Sequence, residues 1–138
     1  MMEQLLQRFA EGLESSDLTI TYSDMHGLWG GVTVILAANG AYERIERKRG
    51  AAAPHALRST LAIARVRDLV RLLHQISAWE QRTPERPPVP DESRATLTLR
   101  SGGVEVSIWE WYNDLAKNDR LIRVRSLLLD LADEANPT

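Results

Sequence analysis

Two stretches of alternating residues, VTVILAANGAYERI and ATLTLRSGGVEVSIW, each double back on a glycine turn, which commits the chain to an antiparallel sheet. In the first, Asn39-Gly40 is the two-residue signal for a type I′ turn, whose central residues both need positive φ. A two-residue turn there places Val34 opposite Ile45 and Leu36 opposite Glu43, with Val32, Val34 and Leu36 on one face. In the second, Ala95, Leu97 and Leu99 match Val104, Val106 and Ile108 across Ser101-Gly102-Gly103. A further strand, residues 18–24, alternates Leu18, Ile20 and Tyr22 against Thr19, Thr21 and Ser23. The heavily charged third strand, Ala41 to Arg49, reads as a sheet edge, where charge discourages pairing with other chains.

Three helices frame these strands. Residues 2–14 set Met2, Leu5, Leu6, Phe9 and Leu13 at helical spacing. After the break GAAAPHAL, the longest helix is expected over 60–81, with Ile63, Val66, Leu69, Val70, Leu73 and Ile76 on one side. Asn118 or Asp119 can cap a last helix that turns Leu121, Val124, Leu128, Leu131 and Ala135 inward. Residues 82–94 hold four prolines and form the one long loop. The order α-β-β-β-α-β-β-α predicts an α+β fold: an antiparallel sheet of about five strands with helices packed on one face. At 138 residues, positions 1–138 read as a single domain with the loop 82–94 inside it.

The glycines at 27, 30 and 31 invite a second reading, as a phosphate cradle. Such a loop must deliver the chain into a helix, because successive N–H groups and the helix N-terminus hold the anion together. Gly30 and Gly31 lead instead into a strand of β-branched residues, and no Lys-Ser or Lys-Thr pair follows. They read as corners.

Other chemistries are removed by what the chain lacks. There is no cysteine, so disulfides, thiolate catalysis and sulfur-ligated zinc all fall away. The three histidines, His26, His55 and His74, have no metal-binding spacing, and no serine sits in a nucleophile elbow. No metal and no cofactor is therefore expected, and the chain leans away from being an enzyme. The start carries acidic residues and no basic segment ahead of an apolar run, so it does not resemble a secretory signal, and no apolar run is long enough to span a membrane. A cytoplasmic location and no membrane partner are the corresponding expectations.

The net charge of −2 hides an uneven layout: between Arg44 and Arg71 eight basic residues face two acidic ones, a segment charge of +6. Three function classes remain. The first is a non-enzymatic interaction or structural module that meets a protein partner or forms a homodimer, with Trp109 and Trp111 as interface candidates on the face opposite Val104, Val106 and Ile108. The second is a small-ligand binder or enzyme with a cleft near Asp24, His26, Trp29 and Glu110. In that class His26 reads most simply as an exposed turn residue, and Glu110 as the partner of Arg120 or Arg123. The third, a binder of nucleic acid or of an acidic partner, would use the basic patch Arg44, Arg47, Lys48 and Arg49; the acidic net charge and the absence of a reader motif weigh against nucleic acid.

Overall fold

Each period-two run becomes a strand by burying one face and turning the other toward water. A computed structural model describes residues 2–12, 17–26, 30–50, 53–82, 87, 89, 92–134 and 136–137, with the backbone alone beyond Leu131. The elements are α1 (Met2–Ala10), β1 (Thr19–Ser23), β2 (Gly31–Ala37), β3 (Ala41–Arg47), β4 (His55–Thr60), α2 (Ile63–Gln75), β5 (Arg94–Ser101), β6 (Val104–Trp111), a 3-10 helix η1 (Tyr112–Lys117), α3 (Asp119–Glu134) and β7 (Asn136–Pro137). The fold is α+β. Its strands form one sheet in the order β6-β5-β1-β2-β3-β4-β7, antiparallel throughout.

The helices pack on one face of this sheet. Leu18, Ile20 and Tyr22, Val32, Val34 and Leu36, and Leu97 and Leu99 meet Leu6, Phe9, Val66, Leu73, Val124 and Leu128 in a single hydrophobic core. The opposite face carries hydroxyls in cross-strand pairs, Ser23 with Thr33 at 2.8 Å and Thr98 with Ser107 at 3.0 Å. The second hairpin forms as expected, with Leu97 opposite Ile108 and Leu99 opposite Val106, but Ser101 pairs with Val104 as a strand residue, so the turn is Gly102-Gly103 alone and Ala95 faces Glu110.

Three expectations need correction. The antiparallel sheet of about five strands holds, with six full strands and the two-residue β7 among the described residues, but His55–Thr60 forms β4 where the sequence suggests a break, so β3 is an interior strand and not an edge. α1 and α2 are shorter than their apolar periodicity suggests, ending at Ala10 and Gln75, so the longest helix is α3 and not the 60–81 segment; Leu13 and Ala135 lie outside the described residues. After α2 the chain turns at Ser77, which adopts φ 55° and so cannot continue a right-handed helix.

The β2–β3 register also differs from expectation. Val34 lies opposite Arg44 and Leu36 opposite Tyr42, one residue from the expected pairing. Gly40 takes φ 95°, but Asn39 is not in the left-handed region, so the turn is not type I′ and three residues, 38–40, link the strands. A slip of one residue exchanges the two faces of a strand. Tyr42, Arg44 and Glu46 consequently lie on the helix side with Val34, while Glu43 and Ile45 lie on the hydroxyl face.

Candidate functional site

The alternation of β1 does not stop at the strand's end: Asp24 follows Tyr22 on the helix side and is only 2% exposed. A buried carboxylate needs partners, and Asp24 has three. Its Oδ2 accepts from the Tyr22 hydroxyl at 2.9 Å and from Arg125 Nε at 2.6 Å, and its Oδ1 accepts from the Val32 N–H at 2.9 Å. Burial, reinforced by the neighbouring Asp24 charge, pushes the Tyr22 phenol far above its ordinary 10.0, so Tyr22 stays a donor. Burial works against the Arg125 charge, but the bond and the attraction to Asp24 outweigh it and raise the guanidinium above its ordinary value.

Gly30 and Gly31 serve this cluster as points of close approach. A Cβ on Gly31, whose φ is 139°, would sit 2.6 Å from the Asp24 carbonyl oxygen and 2.8 Å from Oδ1. A Cβ on Gly30 would meet the Arg47 carbonyl oxygen at 2.0 Å. Glycine is the residue that lets β2 start against both neighbours.

His26 is buried, not an exposed turn residue. Its backbone bridges to Gly30, its carbonyl oxygen accepts from Arg47 Nη2 at 2.6 Å, and its ring is tilted against Tyr112 with centroids 5.2 Å apart. It therefore supports Arg47 and Tyr112 from behind.

In front of these residues opens a cleft of about 710 Å³, within the range of small-molecule sites. The end of β3 forms one wall with Arg44, Glu46, Arg47, Lys48 and Arg49. α3 and η1 form the other with Tyr112, Leu115, Ile122, Arg125 and Leu129, and Asp24 and Gly31 lie between. Five cations face two carboxylates, one of which is bonded to Arg125, so the cleft carries a positive excess of charge. The one-residue register slip builds this site, since it turns Arg44 and Glu46 toward the helix side.

The structure thus unites Asp24 with the basic patch 44–49 and separates both from Glu110. Glu110 lines a second cleft, of about 560 Å³, with Arg82, Lys117 and Asn118. Its Oε1 accepts from the Trp111 N–H and its Oε2 from Asn118 Nδ2, while Arg120 donates to the carbonyl oxygens of Ser77 and Glu80 in place of the expected ion pair. Trp29 lies outside the described residues.

Trp109 and Trp111 point to the face opposite Ile108, with Trp109 beside Thr96. Their rings meet edge to face at 4.9 Å, and the Arg94 guanidinium lies 4.0 Å from the Trp109 centroid and 5.0 Å from that of Trp111. Trp111 is only 8% exposed, so most of its surface is already used within the chain. The Gln81 side chain caps the outer edge of β6, exchanging two hydrogen bonds with the Trp109 backbone.

Sequence reasoning missed Arg125, Tyr112 and Leu129. A signal was present in α3, where Ile122, Arg125 and Leu129 form a second stripe at steps of three and four beside the core stripe Leu121, Val124 and Leu128. An arginine inside an apolar stripe requires a partner, and the partner lies 101 residues away.

Among the described residues no group of three or more His, Asp or Glu side chains is placed to hold a metal ion. No helix among them is long and apolar enough to cross a membrane. No known family model, no curated protein and no solved structure matches this chain.

Proposed function

We propose that the protein is a non-catalytic binding module that holds a small anionic molecule in the cleft between the end of β3 and α3. The observation that carries this reading is the geometry of Arg125. Its Nε is spent on the buried Asp24, which is itself fixed by Tyr22 and the Val32 N–H. Asp24 and Tyr22 hold the inner edge of the guanidinium, and the side chain, one-third exposed, reaches into the cleft. A guanidinium oriented through Nε presents its two terminal donors in a fixed fork, the arrangement that suits carboxylate and phosphate oxygens. Arg44 and Lys48 make no ion pair with any described residue and add charge to the opposite wall. Asp24, bonded to Arg125, Tyr22 and the Val32 N–H, serves to orient the guanidinium.

Titration with inorganic phosphate at low salt, followed by amide chemical shifts, tests the reading. Saturable shifts confined to residues 44–49 and 122–129 are expected, with affinity lowered at least tenfold in Arg125→Met. Lys48→Gln, which leaves Asp24 undisturbed, should weaken binding severalfold with an unchanged melting temperature. Shifts that do not saturate, or a folded Arg125→Met that binds like the wild type, would overturn it.

A further inference from the structure

We infer that the ligand is an organic phosphate monoester whose apolar group lies on α3 and η1 while its phosphate meets Arg125 and the cationic wall of β3. This inference rests on the anion-binding reading and adds the ligand's chemical class. Two features of the cleft carry it.

The first is the amount of positive charge. A single carboxylate would be satisfied by the Arg125 fork alone, but Arg44, Arg47, Lys48 and Arg49 line the same cleft against one further carboxylate, Glu46. That excess suits a dianionic head with three terminal oxygens, which can accept from Arg125 and from the opposite wall at once.

The second is the apolar wall. Ile122 and Leu129 flank Arg125 at i−3 and i+4, so all three side chains lie along one line of α3. Both are only partly buried: each packs against the core on one side and lines the cleft on the other. Leu115 and Tyr112 continue this surface on η1. An inorganic anion would leave the wall wet, and a cleft of about 710 Å³ has room for a head and an organic group together.

The experiment compares hexyl phosphate, inorganic phosphate and hexanoate by calorimetry at one ionic strength. Hexyl phosphate is expected to bind at least tenfold more tightly than either of the others. Tenfold corresponds to about 1.4 kcal/mol, which about 60 Å² of apolar surface removed from water supplies. Leu129→Asn should bring hexyl phosphate down to the affinity of inorganic phosphate and leave the latter unchanged. Ala116→Asp, at an exposed position on the cleft's lip, should weaken hexyl phosphate with no change in melting temperature, so a folding defect at Leu129 cannot hide the answer.

Equal affinities for hexyl phosphate and inorganic phosphate would sink the organic-ester inference and leave the anion reading intact. Hexanoate binding as tightly as hexyl phosphate would remove the phosphate. Failure of all three ligands would remove both readings. Sedimentation with phosphatidylcholine–phosphatidic acid vesicles, without binding of monomeric hexyl phosphate, would overturn the inference in favour of a membrane surface. Unchanged affinity in Ala116→Asp would place the ligand elsewhere and overturn it too.

Discussion

Asp24 is where strand geometry and chemistry meet. In the sequence the residue stands out only as the end of the strand 18–24 and as a cleft candidate, because the run Leu18, Ile20, Tyr22 ends there as a hydrophobic pattern. Continued by one step, the same alternation puts a carboxylate into the core, and a carboxylate there must have donors. One donor, the Val32 N–H, comes from the neighbouring strand; another, Arg125, comes from a helix late in the chain, and no local pattern links the two. The Tyr22 hydroxyl gives this cluster a measurable pH signature. Its pKa is raised by burial and by Asp24 above the 10.0 it has when unfolded. The unfolded chain therefore releases this proton first as pH rises, so the stability contributed by Tyr22 is complete below about pH 10 and is lost progressively above it. Tyr22→Phe should cost about 1–3 kcal/mol near neutral pH, since Asp24 loses a buried donor. The difference between wild type and variant should then shrink as pH climbs past 10. Urea denaturation at pH 7, 9 and 11 measures this, and a difference that stays constant across the series would show that the phenol is not held neutral by the fold.

Hairpins and helices were legible because their signals are local. Turn length and β4 were not. Asn39-Gly40 announced a turn correctly, but the link has three residues, and Gly40 alone takes a positive φ. Its surroundings explain the constraint: Leu61 donates its N–H to the Gly40 carbonyl oxygen at 2.8 Å, and a Cβ on Gly40 would lie 2.2 Å from the Leu61 carbonyl oxygen. The segment after β4 thus helps to fix the register that turns Arg44 into the cleft, a contact invisible to a search for turn residues. β4 itself escaped notice because only Ser59 in it is buried, so it has no apolar alternation to recognise. Gly102 is the natural control, with φ 57° and open space where a Cβ would stand. Gly102→Ala should cost about 1–2 kcal/mol from backbone conformation alone. Gly40→Ala should cost clearly more, because the chain must also move away from Leu61. It should also perturb the amides of β3, which can be followed by hydrogen exchange. Equal costs for the two substitutions would mean that Leu61 does not hold the turn.

For the whole molecule, linear charge and spatial charge differ. The segment from Arg44 to Arg71 carries +6 along the chain, but folding divides it among three places. Arg44, Arg47, Lys48 and Arg49 line the cleft. Arg58 lies on β4 and pairs with Glu43 across the strands at 2.6 Å. Arg65, Arg67 and Arg71 stand on α2, where Arg65 and Arg71 share Asp68 and Arg71 also donates to the Ala10 carbonyl oxygen. The sequence disclosed the excess and not its division, because neighbours on a strand alternate between faces and those on a helix turn by about 100° per residue. A duplex needs cations spread over a surface that can follow its backbone, whereas four of these are gathered in a concavity sized for a small molecule. Titration with short duplex DNA at increasing salt should accordingly show weak binding, with a slope of log K against log salt no steeper than about −2, as when no more than two phosphates are engaged. Inorganic phosphate should compete for what binding there is, because both would draw on the same cleft. A slope of about −5 or steeper, insensitive to phosphate, would show that cations outside the cleft act together as a nucleic-acid surface.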